Sequence, residues 1–108
     1  DINAKIDGNT SLLHLAIYHD HLDIIELLLS RENVDVNICS SNGFYPIHQA
    51  IILGNEKVVS LLLNMPDIDK CLDSHSKLKE SPLLTAQKIN NQKIIEMIQN
   101  HIEKNKKQ

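Results

Sequence analysis

An all-α fold, a solenoid of three helix-turn-helix units with finger-like turns between them, is what this 108-residue sequence predicts. Three observations predict it. A four-residue block recurs as Leu13-His14-Leu15-Ala16, Ile47-His48-Gln49-Ala50 and Leu83-Leu84-Thr85-Ala86, with its alanines 34 and then 36 positions apart. The same shifts align three apolar segments, Ile24-Ile25-Glu26-Leu27-Leu28-Leu29, Val58-Val59-Ser60-Leu61-Leu62-Leu63 and Ile94-Ile95-Glu96-Met97-Ile98-Gln99. Between block and segment a helix-ending pair always intervenes. Self-similarity at a fixed period of roughly 20–50 residues marks repeat architectures, in which each unit buries its apolar side only against its neighbours.

Each unit opens with helix-start chemistry. Tyr45-Pro46 and Ser81-Pro82 put proline at the first helical position, where its missing N–H is no loss, and Ser11 is the cap of the first copy. The helix-ending pairs are Asp20-His21, Gly54-Asn55 and Asn90-Asn91; Gly and Asn accept the left-handed backbone that stops a helix, and Asp20 is the poorest of the three. The second segment has apolar residues at i, i+1, i+3 and i+4, as in Val58, Val59, Leu61 and Leu62, which makes one stripe on a helix. Between the hairpins run polar stretches such as Asp35 to Gly43, where Val36 and Ile38 alternate and Asn42-Gly43 is a turn signal. The second connection is longer, so the turn holding Ser74, His75, Ser76 and Lys77 is expected to be irregular or mobile.

Composition limits the function classes. The length is that of one domain, and 42% hydrophobic residues with 3% aromatics and no Trp imply a core of Leu, Ile, Val and Ala. Net charge is -3; Glu103 against Lys104, Lys106 and Lys107 gives +2 at the end, which leaves -5 on the first hundred residues. That balance argues against nucleic acid and membrane as partners. No apolar run approaches the roughly 18 residues of a membrane span, and the start lacks a signal-peptide pattern. Beginning at Asp1, the chain reads as a trimmed fragment. Cys39 and Cys71 form no CxxC pair and have no His at zinc-site spacing, so they are expected to be free thiols in an intracellular, cytoplasmic setting. Ten Lys to one Arg, with fifteen Ile and eleven Asn, suggests AT-rich coding.

Candidate chemistry is thin. His19-Asp20-His21 looks like a metal triplet, but it falls in a helix-to-helix turn and i, i+2 residues share no helix face, so a surface loop is the expectation. Asp23, Glu26 and Glu56 read as solvated positions or partners of a helix dipole. Gly8, Gly43 and Gly54 belong to turns and form no phosphate loop. Neither cysteine stands in an activating constellation. The terminal lysines suit the end of a long helix. No enzyme, metal or cofactor is expected, and the chain is expected to be monomeric.

Tyr45-Pro46-Ile47-His48-Gln49-Ala50 matches the T-P-L-H-x-A box of the ankyrin repeat family, which this sequence resembles over nearly its whole length, to about Ile102. Ser11 to Ala16 and Ser81 to Ala86 are looser matches. The family's D-V-N element stands as Asp35-Val36-Asn37 and Asp1-Ile2-Asn3, and degraded as Asp69-Lys70-Cys71. The resemblance implies repeats at about 1–34, 35–68 and 69–102 with a basic tail at 103–108. His14 and His48 would then brace the neighbouring turn through backbone hydrogen bonds. The third copy, with Leu84 for His, Gln99 for Leu and polar Thr85, Gln87 and Lys88, reads as a C-terminal cap. The first copy, with Leu12, Leu15 and Ile17 in its first helix, lacks such a polar outer side, and a preceding repeat or helix is expected.

The family's usual role implies a module that binds another protein across the concave face of the solenoid; the alternative is a scaffold or regulatory segment of a larger effector or enzyme, acting in a host cell if the source is a pathogen. Carried over by position, the adaptable sites are Tyr18 with His19, Ile52 with Leu53, and Lys88 with Ile89. In the turns they are Asp7, Gly8 and Thr10, then Ser41, Asn42 and Phe44, then Lys77, Leu78 and Glu80. The apolar ones among them, with Phe44 and Leu78, are the expected anchors. Asn37, eight residues after Leu29, has a spacing similar to that of asparagines hydroxylated in other members, with turn-holding by its side chain as the plainer role.

Overall fold

The computed structural model describes residues 11–38, 44–66, 68, 72 and 81–106. Among the described residues there are six α-helices: α1 Leu12–Tyr18, α2 Leu22–Leu29, α3 Pro46–Ile52, α4 Glu56–Leu63, α5 Pro82–Lys88 and α6 Gln92–Lys106. The irregular turn expected around Ser74 to Lys77 lies outside the described residues, as do Cys39 and Cys71.

The starts of the first helices follow from their sequences. Ser11 Oγ accepts from the N–H of His14, and Ser81 Oγ accepts from the N–H of Leu84, both at 3.2 Å. Each satisfies a donor that the helix itself leaves unpaired, worth about 1 kcal/mol. Tyr45 has no short side-chain oxygen to do this. There Pro46 removes one donor, and His48 Nδ1 accepts from the N–H of Tyr45 at 3.2 Å while the two rings stack at 5.7 Å.

The ends of the first helices are three copies of one motif. Asp20, Gly54 and Asn90 all have positive φ, between 56° and 69°. Their N–H groups donate to Ile17, Ile51 and Gln87, and the next residues, His21, Asn55 and Asn91, donate to the carbonyls of Ala16, Ala50 and Ala86. This is the Schellman arrangement, with the repeated alanine supplying the innermost acceptor. Asp20, the least suited residue by type, adopts the same geometry as Gly54. The chain then reverses at once: Asn55 Oδ1 and Asn91 Oδ1 accept from the N–H groups of Val58 and Ile94 and so start α4 and α6. His21 makes no such side-chain bond. Asn55 also donates through Nδ2 to Asp20 Oδ1 at 2.8 Å, which ties the second turn to the first.

Two layers result. α1, α3 and α5 pack in sequence against one another; behind them α2, α4 and α6 do the same, and each hairpin joins the layers. The core lies between them. Ile17, Ile25, Ile47, Ile51, Val58, Val59, Leu62, Ile94 and Ile98 are fully buried, and Ala16, Ala50 and Ala86 let the first helices come close. Among the described residues no buried side-chain nitrogen or oxygen lacks a partner.

Three side chains depart from the sequence reading. Ile17, expected on an outer surface, is fully buried, because it sits one turn position from Ala16 and points between the layers. Thr85, expected to add polarity outside, is 3% exposed, and its hydroxyl donates to the Ser81 carbonyl one helical turn back. Leu83, expected in the core beside Leu13 and Ile47, is only half-buried. Gln87, Lys88 and Gln99 do face solvent.

Two stability outcomes follow. Leu62→Ala removes a fully buried side chain at the centre of the second layer and should cost about 2–5 kcal/mol in urea melts; a loss under about half a kilocalorie on that scale would refute the packing. At Gly54, φ is +69° and an added Cβ would meet nothing nearer than Asn91 Nδ2 at 3.8 Å. Gly54→Asn should therefore be nearly neutral, as Asn90 already shows the conformation, while Gly54→Val should cost roughly 1–3 kcal/mol from backbone strain alone.

Candidate functional site

The Schellman turn decides which residues of the first helices are exposed. The two positions that carry its acceptor carbonyls, Ala16 with Ile17 and Ala50 with Ile51, are turned inward and buried. Successive helical residues advance by about 100°, so the next two point away. Tyr18, Ile52, Leu53 and Ile89 are 61%, 44%, 44% and 41% exposed, and His19 and Lys88 are exposed with them. Because α1, α3 and α5 pack side by side, these six form one row across three helix ends. Leucine and isoleucine at such exposure have no packing reason to be there.

Phe44, the remaining described member of the expected surface, is half-buried. Its ring lies 5.8 Å from that of His48, and its carbonyl is held by the first repeat, so it is fixed at the edge of the row. Leu78 lies outside the described residues, as do Asp7, Gly8, Thr10, Ser41, Asn42, Lys77 and Glu80. Between the first two turns runs a groove floored by Ile17 and walled by Tyr18, Asp20, Leu53, Asn55 and Glu56. Sequence reasoning had given Asp20 and Glu56 only local roles, a helix end and a dipole partner. The signal that would have found them is the same 34-residue shift, since both border a turn that stacks on its neighbour.

The histidines are structural. His14 is 2% exposed with both ring nitrogens engaged: Nε2 lies 3.0 Å from the Phe44 carbonyl and Nδ1 lies 2.7 Å from Ser11 Oγ. A carbonyl can only accept, so Nε2–H donates to it; in the neutral ring Nδ1 then accepts from the Ser11 hydroxyl, which in turn accepts from the backbone N–H of His14. His48 Nδ1 accepts from Tyr45 N–H, so its neutral ring is the same tautomer. The bracing of the neighbouring turn is therefore direct, through His14 to Phe44, thirty residues on.

Other candidate groups are placed without a reaction centre. His19 and His21 are exposed, their rings 6.0 Å apart, and His19 instead meets Tyr18 edge-on at 5.1 Å. Among the described residues no group of three or more His, Cys, Asp and Glu could hold a metal ion, and no helix is long and apolar enough to cross a membrane. Asn37 is half-buried, and its backbone N–H donates to Asp35 Oδ1 at 2.8 Å, so Asp35 is the side chain that holds this turn.

A family model described as ankyrin repeats in three copies matches residues 13–108. Over 97 residues the chain is 30% identical to an ankyrin repeat protein of fowlpox virus, which covers 88% of this chain and 28% of that protein. It is 38% identical to alpha-latrotoxin-Lh1a of Latrodectus hasselti over 58 residues, 54% of this chain and 4% of the toxin. Similarity of 34% extends over 67 residues to the SMC5-SMC6 complex localization factor protein 1 of Bos taurus, 61% of this chain and 6% of that protein. The chain thus spans a small part of the length of each of these relatives.

The histidine geometry is open to a direct check. Long-range ¹H–¹⁵N spectra near neutral pH should show His14 and His48 as the Nε2–H tautomer, and a protonated Nδ1 in the neutral ring would overturn the assignment. His14→Ala, which deprives the Phe44 carbonyl of its donor, should cost about 1–3 kcal/mol in the same urea melts.

Proposed function

The chain belongs to the ankyrin repeat family, and on that premise we propose that it binds a partner protein across the row formed by Tyr18 with His19, Ile52 with Leu53, and Lys88 with Ile89. Ankyrin repeats are in general protein-protein interaction modules. The observation that supports this surface is its exposed apolar content: four of its six side chains are Tyr, Ile or Leu, at positions the fold leaves free. Contiguous exposed apolar groups around an aromatic are typical of interface centres, where a few anchors carry most of the affinity. The row would be the concave face of the solenoid, with Phe44 at its border and Leu78 joining from the third turn.

The same reading assigns the chain a passive chemistry. Family members are typically not enzymes, and we propose none of the reaction for this chain. Its net charge of -3 favours a protein over a nucleic acid as the partner. The small share of each relative's length that the chain covers supports a second reading, a scaffold or regulatory segment within a larger effector or enzyme. The viral relative fits action inside a host cell. Asn37 stands as a proposed modification site: an asparagine hydroxylase drawing its oxygen from dioxygen should add one oxygen to the peptide that contains it, and an unchanged mass would reject the site.

Leu53→Asp separates binding from folding. The residue caps α3 and is exposed, so its replacement should cost on the order of half a kilocalorie in stability. Loss of a desolvated anchor from an interface should cost about 2 kcal/mol or more in affinity. The comparison is made by capture with wild type and variant under identical conditions, followed by mass spectrometry and titration of whatever wild type retains. Unfolding by Leu53→Asp would make the residue core; a folded variant that binds with wild-type strength would remove this surface from consideration.

A further inference from the structure

The three hairpins are built alike, so equivalent positions can be compared for what covers them. At four positions the first hairpin is bare where the other two are covered. Ile24 is 42% exposed, while its counterparts Val58 and Ile94 are fully buried. Leu27 is 56% exposed against half-buried Leu61 and Met97. Leu12 is 36% exposed against buried Pro46 and Pro82, and Leu15 is 39% exposed against half-buried Gln49 and buried Thr85. In the second and third hairpins the cover is supplied by the preceding hairpin, since α3 packs on α1, α5 on α3, α4 on α2 and α6 on α4.

We propose that Leu12, Leu15, Ile24 and Leu27 form a stacking surface that takes one more helical hairpin in the same register, continuing the interface that already joins the repeats. The occupant is identified by that continuity. The side chains are those which, one and two repeats on, are covered by a helical hairpin; Leu12 and Leu27 also border one groove with Leu28 and Arg31, which offers an indentation for a side chain of such a hairpin. Leu12 and Leu15 lie on α1 and Ile24 and Leu27 on α2, so the surface spans both layers, as a stacking hairpin requires. Polar or charged residues would serve at these positions if they faced only water. The surface is distinct from the row of the proposed partner site, which lies at the C-terminal ends of the first helices.

The test uses the 108-residue chain and an extended form in which a second copy of residues 35–68 precedes Asp1, which preserves the 34-residue spacing from Asp35 to Asp1. The added copy carries Val58→Lys and Leu61→Glu, so that its own outer side is polar. Leu27→Asp is placed in the original first repeat of both forms. The extended chain should unfold in a single transition, with its urea midpoint raised by roughly 0.5 M or more. Leu27→Asp should leave the 108-residue midpoint nearly unchanged and should lower that of the extended form by a comparable amount. An added hairpin that stays unfolded by far-UV circular dichroism, or equal effects of Leu27→Asp in both forms, would overturn the proposal. So would light scattering that finds the 108-residue chain dimeric and Leu27→Asp monomeric, which would make a second copy the occupant.

Discussion

One residue of left-handed backbone in each hairpin, Asp20, Gly54 or Asn90, sets the geometry on which the rest of the molecule depends. It ends the first helix, turns two backbone N–H groups back on to that helix, and delivers the following residue directly to the start of the second. No loop separates the two helices, so they leave the turn at a fixed angle and their apolar sides meet. Asp in this conformation is a few times rarer than Gly but is among the tolerated types. Asn55 adds to the tolerance of Asp20 by donating to its carboxylate, so the least favourable of the three turns is held by its neighbour.

From that turn the exposure pattern follows. Alanine stands where the returning N–H bonds the helix, and its small side chain permits the next first helix to approach; larger groups one position on fill the space between layers. The next two positions are then free of any duty in folding. A surface generated in this way can vary from one protein to another while the hairpin stays the same, which fits relatives as different as a spider toxin, a poxvirus protein and a localization factor sharing the scaffold over part of their length. The histidines serve the same economy. His14 joins the start of its own helix to the chain before the next one, so a long connection between hairpins is held at its far end by one imidazole.

Periodicity made most of the architecture legible in advance. The 34 and 36 residue shifts placed every helix, because the apolar spacing and the Pro, Ser, Asn and Gly signals act within a few residues of one another and need no knowledge of the fold. The exposed ends of the first helices were found by the same shifts. Burial at single positions was less legible. Ile17 and Thr85 were read as outward-facing because the sequence shows how a side chain projects from its own helix and says nothing of what the neighbouring helix brings to that side.

The sequence by itself determined the repeat, its register, the helix boundaries and the residues able to take a left-handed turn, since all of these are local consequences of side-chain shape and hydrogen-bonding capacity. Only the tertiary structure decided which apolar groups are covered. Ile24 and Val58 occupy the same place in the same kind of helix, and one is 42% exposed while the other is fully buried. The physical reason is that burial belongs to a pair of hairpins: a side chain leaves water only when a second surface arrives, and which surface arrives is settled by the stacking of one repeat on the next.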